Sequence, residues 1–356
     1  MPKFTLDDFL NDDDFSDDAR LTELKPETPK EEPKKRSLKK GSDIASEKMK
    51  EAEIQAQKPF DAATHKSGYV AIIGKPNAGK STLMNAMLGS RLSIVTPKAQ
   101  TTRNRVIGIL SDEDSQIIFL DTPGVIEPKY KLHEMMMGYV QKAGEDADIV
   151  LLMVDATDKE TEMELLISKM KKFRAPVYLI LNKIDKVGQE KASEIIERLQ
   201  TQFKFKDCYA ISALEKIGVE QLKQVIKSNI RIGPPFYPKD QLSEHPERFF
   251  VTELIREQIF LLYEQEVPYS CAVDILQYQE TNSMDYIDAD IVVERDSQKG
   301  ILIGKGGSKL KKLGTDSRKE IEAFLGKRIH LKLFVKVREK WREKDGFLRG
   351  LGYGKE

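Results

Sequence analysis

The chain has little of what would staple or clamp a fold covalently. Its 356 residues include two cysteines, Cys208 and Cys271, far apart in sequence. That excludes a disulfide framework and a thiolate metal knuckle, and it fits two small apolar side chains in a reducing compartment. No apolar run approaches the roughly 18 residues of a membrane span. Net charge is missing too, since 58 basic and 58 acidic side chains cancel. The acidic first residues do not resemble a secretory or transit peptide. Those of a mature organellar protein, its targeting segment removed, would not either.

The neutral total hides an asymmetry. Residues 1–24 carry 2 basic and 8 acidic side chains, whereas residues 296–356 carry 17 basic and 8 acidic. A basic C-terminal end in a neutral chain points to a local polyanion site. Residues 1–65 hold the acidic block Asp7, Asp8, Asp12, Asp13, Asp14, Asp17 and Asp18, then a Pro/Glu/Lys stretch. So little apolar surface cannot offset chain entropy, so a disordered charged tail is expected. The alternative is a partner-binding tail anchored by Phe4, Leu6, Phe9, Leu10 and Phe15. Ser42–Lys58 reads as a polar helix without a wide apolar stripe.

Residues 67–230 alternate strand and helix patterns. Strands are expected at Tyr69–Ile73, Val106–Leu110, Gln116–Leu120, Ile149–Asp155, Val177–Asn182 and Cys208–Ile211. Helices are expected at Lys80–Leu88, Lys131–Gly144, Thr161–Phe173, Lys191–Phe203 and Gly218–Ile230. Such alternation makes an α/β fold with a mostly parallel sheet, whose ligands bind at the carboxyl ends of strands.

The chemistry lies at those ends. The run Gly74, Lys75, Pro76, Asn77, Ala78, Gly79, Lys80, Ser81, Thr82 fills the pattern G-x-x-x-x-G-K-[ST], after a strand and before a helix. Its glycines turn backbone N–H groups toward phosphate oxygens. Lys80 reaches the β/γ-phosphates and Ser81 ligates Mg²⁺. Asp121, Thr122, Pro123 and Gly124 follow the next apolar run; the carboxylate can hold Mg²⁺ through water, and the glycine N–H can meet a γ-phosphate. Asn182, Lys183, Ile184 and Asp185 end another strand. Asp185 accepts both guanine donors, which adenine lacks on that edge, and so selects GTP over ATP. Ser212 and Ala213 can support the base through a main-chain N–H. Gln100–Arg105 supplies Thr101 and Thr102, either of which can complete a Mg²⁺ shell.

Residues 233–247 are proline-rich and read as a linker. Beyond it, an amphipathic helix is expected over Phe249–Glu264, strands over Ser270–Gln277, Tyr286–Glu294 and Ile329–Val337, and a basic helix over Ser308–Leu325. Ile303 leads into Gly304, Lys305, Gly306 and Gly307, the G-x-x-G loop of a KH domain, which admits a nucleic-acid backbone between two helices. Lys305, Lys309, Lys311 and Lys312 add phosphate contacts. Trp341 is either a base-stacking or a packing residue.

These motifs resemble the Ras-like GTPases, and the pairing of such a domain with a KH module resembles the Era GTPase family over residues 66–353. The resemblance implies a P-loop G domain over 66–232, the linker 233–247, a type II KH domain over 248–340 and a basic tail over 341–356. It implies GTP/GDP, Mg²⁺ and K⁺ as ligands, with Thr102 the Mg²⁺-linked threonine, Asn77 holding K⁺, and Lys80, Asn77 and Thr102 as the catalytic set. Val125, implied to be part of the nucleotide site, stands where Ras-like proteins carry a water-orienting glutamine. Basal hydrolysis should therefore be slow, on the order of 10⁻⁴–10⁻² s⁻¹, with Arg103 and Arg105 as candidate charge suppliers or, alternatively, contacts to the linker or RNA. The implied partner is small-subunit rRNA near its 3′ end, and the implied role is small-subunit ribosome assembly by a monomer in the cytoplasm. Peripheral membrane association and an organelle interior are further expectations. The rival reading is a structural RNA-binding protein or RNA chaperone with a non-switching nucleotide domain.

Overall fold

A computed structural model describes residues 61–158 and 163–354. The tail anchors and the polar helix expected within residues 1–60 lie outside the described residues. Residues 61–65 form an ordered turn whose His65 is buried and bonds Gly233 O at 2.8 Å, so the expected tail does not extend this far.

The first module is a sheet with helices on both faces. Its strands are β1 (Lys66–Gly74), β2 (Val106–Ser111), β3 (Ser115–Asp121), β4 (Ile149–Asp155), β5 (Val177–Asn182), β6 (Cys208–Ile211) and the two-residue β7 (Arg231–Ile232). The order is β2-β3-β1-β4-β5-β6, with β7 beside β1; β2 and β7 run antiparallel and the rest parallel. The helices are α1 (Lys80–Leu88), α2 (Lys131–Asp146), α3 (Met163–Met170), α4 (Gln189–Gln202) and α5 (Val219–Asn229). Alternation along β1 divides the core: Ala71 and Ile73 pack with α2, and Val70 and Ile72 pack with α1 and α5. Gly74, Asp121, Asp155 and Asn182 are the last residues of four neighbouring strands, so one edge of the sheet gathers them.

The second module has α6 (Glu247–Leu262), a short α7 (Val267–Ser270), β8 (Ala272–Gln279), β9 (Asp285–Val293), α8 (Asp296–Ile303), α9 (Ser308–Leu325) and β10 (Ile329–Val337). The sheet order is β10-β9-β8, with β10 parallel and β8 antiparallel to β9. Helix α8 was not anticipated: eight residues containing Gly300 give too short and weak a helical signal.

Two segments depart from expectation. The proline-rich linker lies along the first sheet: Ile109 N donates to Leu242 O at 2.8 Å, and Gln116 bonds the Tyr237 backbone at both its amide and its carbonyl. The supposed basic tail is folded. Trp341, Leu348 and Tyr353 are buried against the α2 side of the first module, Trp341 Nε1 donates to Ser270 O at 2.9 Å, and α10 spans Asp345–Gly350. Trp341 is therefore a packing anchor and offers no face to a base.

Candidate nucleotide and nucleic-acid sites

A cavity of about 630 Å³ opens over the gathered strand ends. Pro76, Asn77, Gly79, Lys80, Ser81, Thr82, Thr102, Gly124, Asn182, Lys183 and Asp185 line it. Gly79 has φ +96°, and a Cβ there would sit 2.3 Å from Asn182 Nδ2. A Cβ on Gly124 would fall 2.6 Å from Pro76 N, so the two phosphate-facing loops touch backbone to backbone.

The buried Lys80 ammonium donates to Lys75 O at 2.8 Å. Burial pulls its pKa down to about 8 against the opposing pull of Asp121. A dry cation there is ready for phosphate oxygens. Ser81 Oγ donates to Asp121 Oδ2 at 2.6 Å and lies 3.0 Å from Thr102 Oγ1. Asp121 is fully buried; burial raises its pKa against the hydrogen bond from Ser81, the charge of Lys80 and the bond from Ser93. Its Oδ1 has no hydrogen-bond partner. An orphaned carboxylate oxygen beside two hydroxyls fits a hard divalent cation such as Mg²⁺. Thr101 also lines the cavity, but its hydroxyl is engaged away from Ser81, bonded to Thr96 Oγ1 at 2.6 Å and Lys98 O at 2.7 Å.

Asn182 ties the base end to the phosphate end. Its Nδ2 donates to Ala78 O at 2.8 Å and its Oδ1 accepts from Ala213 N at 2.9 Å. Lys183 Nζ meets Asp155 Oδ2 at 2.5 Å, and Asp185 stands exposed at the rim. Asn77 Nδ2 donates to Pro97 O at 3.0 Å.

Several expected site residues frame the cavity without lining it: Gly74, Lys75, Ala78, Asp121, Thr122, Pro123 and Ile184. Three expected contacts with the nucleotide are not made. Val125 is buried in the core with its N–H on Gly74 O at 3.0 Å. The Ser212 N–H goes to Ile217 O at 3.0 Å, and that of Ala213 goes to Asn182, so neither is left for a base. Nor do the two arginines supply charge to the cavity. Arg105 pairs with Asp146 at 3.1 Å, and Arg103 is buried in the second module, donating to Cys271 O at 2.6 Å and to Pro268 O and Tyr269 O at 3.0 Å each. Ile94–Pro97, Lys186 and Leu214 line the cavity unforeseen, because loop closure rather than local pattern brings them there, while Gln100 and Thr101 enter it from the expected loop Gln100–Arg105.

The loop over residues 93–105 thus has two faces. One lines the cavity. The other is held by the second module: Lys98 Nζ donates to Phe260 O at 2.6 Å and also to Tyr263 O, Arg256 donates to Thr101 O at 2.8 Å, and Glu257 accepts from Val95 N at 3.0 Å.

On the second module, a groove of about 450 Å³ runs between α9 and β10. Gly307, Lys311, Gly314 and Arg318 edge it from the helix, and Ile329, Leu331 and Leu333 from the strand. Of the expected RNA residues, only Gly307 and Lys311 line it. Ile303 ends α8, and Gly304, Lys305 and Gly306 form the turn before the groove; Lys309 Nζ lies 6.0 Å over the Tyr263 ring, and Lys312 pairs with Asp316 at 2.8 Å. Gly314 and Arg318, spaced three and seven from Lys311, share its helical face, a signal legible in the sequence.

Comparison with known proteins agrees with this layout. A family model described as "50S ribosome-binding GTPase" matches residues 69–183, and one described as "KH domain" matches residues 266–342. The chain is 47% identical over 299 residues to "GTPase ERA1, chloroplastic" of Zea mays, covering 83% of this chain and 72% of that one. It is 46% identical to "GTPase ERA-like, chloroplastic" of Arabidopsis thaliana, covering 82% and 69%. Among solved structures it resembles a variant of Aquifex aeolicus Era bound to GDP·AlF₄⁻, at 38% identity, TM-score 0.78, covering 81% of this chain and 99% of that one. It resembles equally, with the same values, an Era in complex with MgGDPNP and nucleotides 1506–1542 of 16S ribosomal RNA.

Proposed function

The chain belongs to the Era family of GTPases, and we propose that its KH groove binds small-subunit rRNA near the 3′ end under control of the nucleotide cavity, in assembly of the small ribosomal subunit. As a family member it binds GTP with Mg²⁺ and hydrolyses it to GDP and phosphate. The observation that carries the gating is the two-faced loop 93–105. Thr102 joins Ser81 and Asp121 on one side, while Lys98 and Arg103 are seated in the second module on the other. A ligand that prefers one arrangement of this loop shifts the KH module by that preference.

Roles follow from position. Backbone N–H groups of residues 77–81 and the Lys80 ammonium hold the β- and γ-phosphates. Ser81 and Thr102 would ligate Mg²⁺ directly and Asp121 through water; the bound ion neutralises charge on the β/γ oxygens. Asn77 Oδ1, left open by its Nδ2 bond to Pro97 O, would hold K⁺. Asp185 reads guanine. The resemblance to Era bound to a 16S rRNA segment supports the RNA assignment, and Lys311, Gly314 and Arg318 are placed to line the strand. Among the described residues no helix is long and apolar enough to cross a membrane. The chloroplastic relatives favour an aqueous organelle interior with bacterial-type ribosomes, with a bacterial-type cytoplasm as the other such compartment.

The test is binding of the full chain to a short RNA copying the 3′ end of small-subunit rRNA, with GTP analogue, GDP or no nucleotide, at fixed salt. Tighter binding with the analogue, abolished by Gly306→Asp, is expected. Nucleotide-independent binding would overturn the gating. Equal hydrolysis in K⁺ and Na⁺ would remove the role of Asn77.

A further inference from the structure

Hydrolysis needs a group that orients water against the γ-phosphate, and the buried, apolar Val125 supplies none. Three carboxamides line the cavity. Asn182 is spent on Ala78 and Ala213, and Asn77 leans on Pro97. The third, Gln100, directly precedes Thr101 and Thr102 on the loop that reaches Ser81.

Gln100 is held in place. Its backbone is left-handed, φ +58°, rare for a residue with a side chain. Its Oε1 lies 3.3 Å from Nε2 of His133, in the first turn of α2. His133 is buried, and its Nδ1 faces the Lys129 N–H at 3.4 Å. That donor makes Nδ1 the acceptor, which leaves Nε2–H to donate to Gln100. The ring stays neutral, because burial, then Arg103, Arg342 and Lys129, draw its pKa down to about 4. Tyr130 lies against it with ring centroids 3.8 Å apart, and the Arg342 guanidinium lies 4.6 Å over Tyr130. The clamp on Gln100 therefore ends in the folded C-terminal segment.

We propose that Gln100 orients the attacking water, with His133 as the positioning residue that fixes its carboxamide. The inference rests on the GTPase reading above. The second lone pair of Oε1 accepts from water, and the amide N–H₂ donates to a γ-phosphoryl oxygen. The water oxygen bonds to the γ-phosphorus as the bond to the β–γ bridging oxygen breaks. The leaving pair stays on GDP, the water proton ends on phosphate, and Gln100 neither gains nor loses one.

The experiment compares full-length Gln100→Ala, His133→Leu and His133→Gln for kcat at saturating GTP, affinity for GDPNP, and AlF₄⁻-dependent tightening of GDP. Gln100→Ala should lose about a hundredfold in kcat, the scale for one oriented group acting on a transition state, while GDPNP affinity stays within about twofold. AlF₄⁻ tightening should vanish. His133→Leu should lose part of the rate, and His133→Gln, which keeps an amide donor near the Nε2 position, should regain it. Wild-type kcat in Gln100→Ala overturns the proposal, as does a parallel loss of GDPNP affinity, which would make Gln100 a ground-state binder. No recovery in His133→Gln removes the positioning role. Failure of the wild-type chain to hydrolyse GTP would strike the GTPase reading instead.

Discussion

Two glycine loops open helices in this chain, and they are built for different work. The loop before α1 sits at the end of a strand buried from Val70 to Gly74, its lysine is dry, and neighbouring carbonyls and amides saturate its surroundings. The loop before α9 lies on the surface, with Lys305 and Gly306 exposed and the groove beside it open. A phosphate that must react needs a desolvated, fixed cradle. A phosphate that need only be held in passing is served by mobile charge at the surface. Depth, rather than glycine content, separates the catalytic loop from the docking loop.

The sharpest test of that contrast is Lys80→Ala, which should cut GTP hydrolysis by about a thousandfold or more in phosphate release; an equivalent loss of turnover from Lys305→Ala would erase the distinction. Next come the glycines. In Gly79→Ala the new Cβ must displace Asn182, so nucleotide affinity should fall by about tenfold or more. Nothing lies within 4 Å of a Cβ at Gly306, so Gly306→Ala meets only backbone strain of about 1 kcal/mol, and RNA affinity should hold within a few fold. Isothermal titration of each variant with its own ligand decides this.

Smaller effects should separate by what perturbs each loop. Lys311→Ala should weaken RNA binding and lower the slope of log K against log salt by about 1, whereas Lys312→Ala, whose ammonium is paired with Asp316, should change it less. The nucleotide side should answer to acid. The folded His133 value, about 4, lies below its usual 6.5. Between those values the unfolded chain binds the extra proton, so stability falls as pH drops from 6.5 to 4. His133→Gln should remove that share, at most about 3 kcal/mol, when urea midpoints at pH 7 and 4.5 are compared.

The strands Ile149–Asp155, Val177–Asn182 and Cys208–Ile211 were legible to the residue, because parallel strands buried on both faces are written as unbroken apolar runs. The phosphate loop, Asp121 and Asn182–Asp185 were legible as well, since each closes such a run. What escaped is what depends on distant partners. The sequence leaves Arg103 between a charge for the nucleotide and a contact to linker or RNA, because its acceptors lie 165 to 168 residues away. The ending at Trp341, Leu348 and Tyr353 looks like a tail in the sequence, because six residues of α10 carry no period and the surface they cover belongs to the other module. The amides of Ser212 and Ala213 suggest a contact to the base, because sequence does not show a hydrogen bond already made.

The acceptors that seat the two-faced loop are themselves informative. Lys98 and Arg103 bind the carbonyls of Phe260, Tyr263, Pro268, Tyr269 and Cys271, all of them main chain. At these contacts the joint recognises the path of the partner chain rather than its lettering, whereas Arg256 and Glu257 hold the same loop through their side chains. Mutational drift on the accepting side is cheap so long as α6 and α7 keep their course. On the donating side, only a long cation that reaches the same carbonyls can substitute. Lineages of this fold should therefore age unevenly across the joint, with the two cations persisting while the residues they grip turn over.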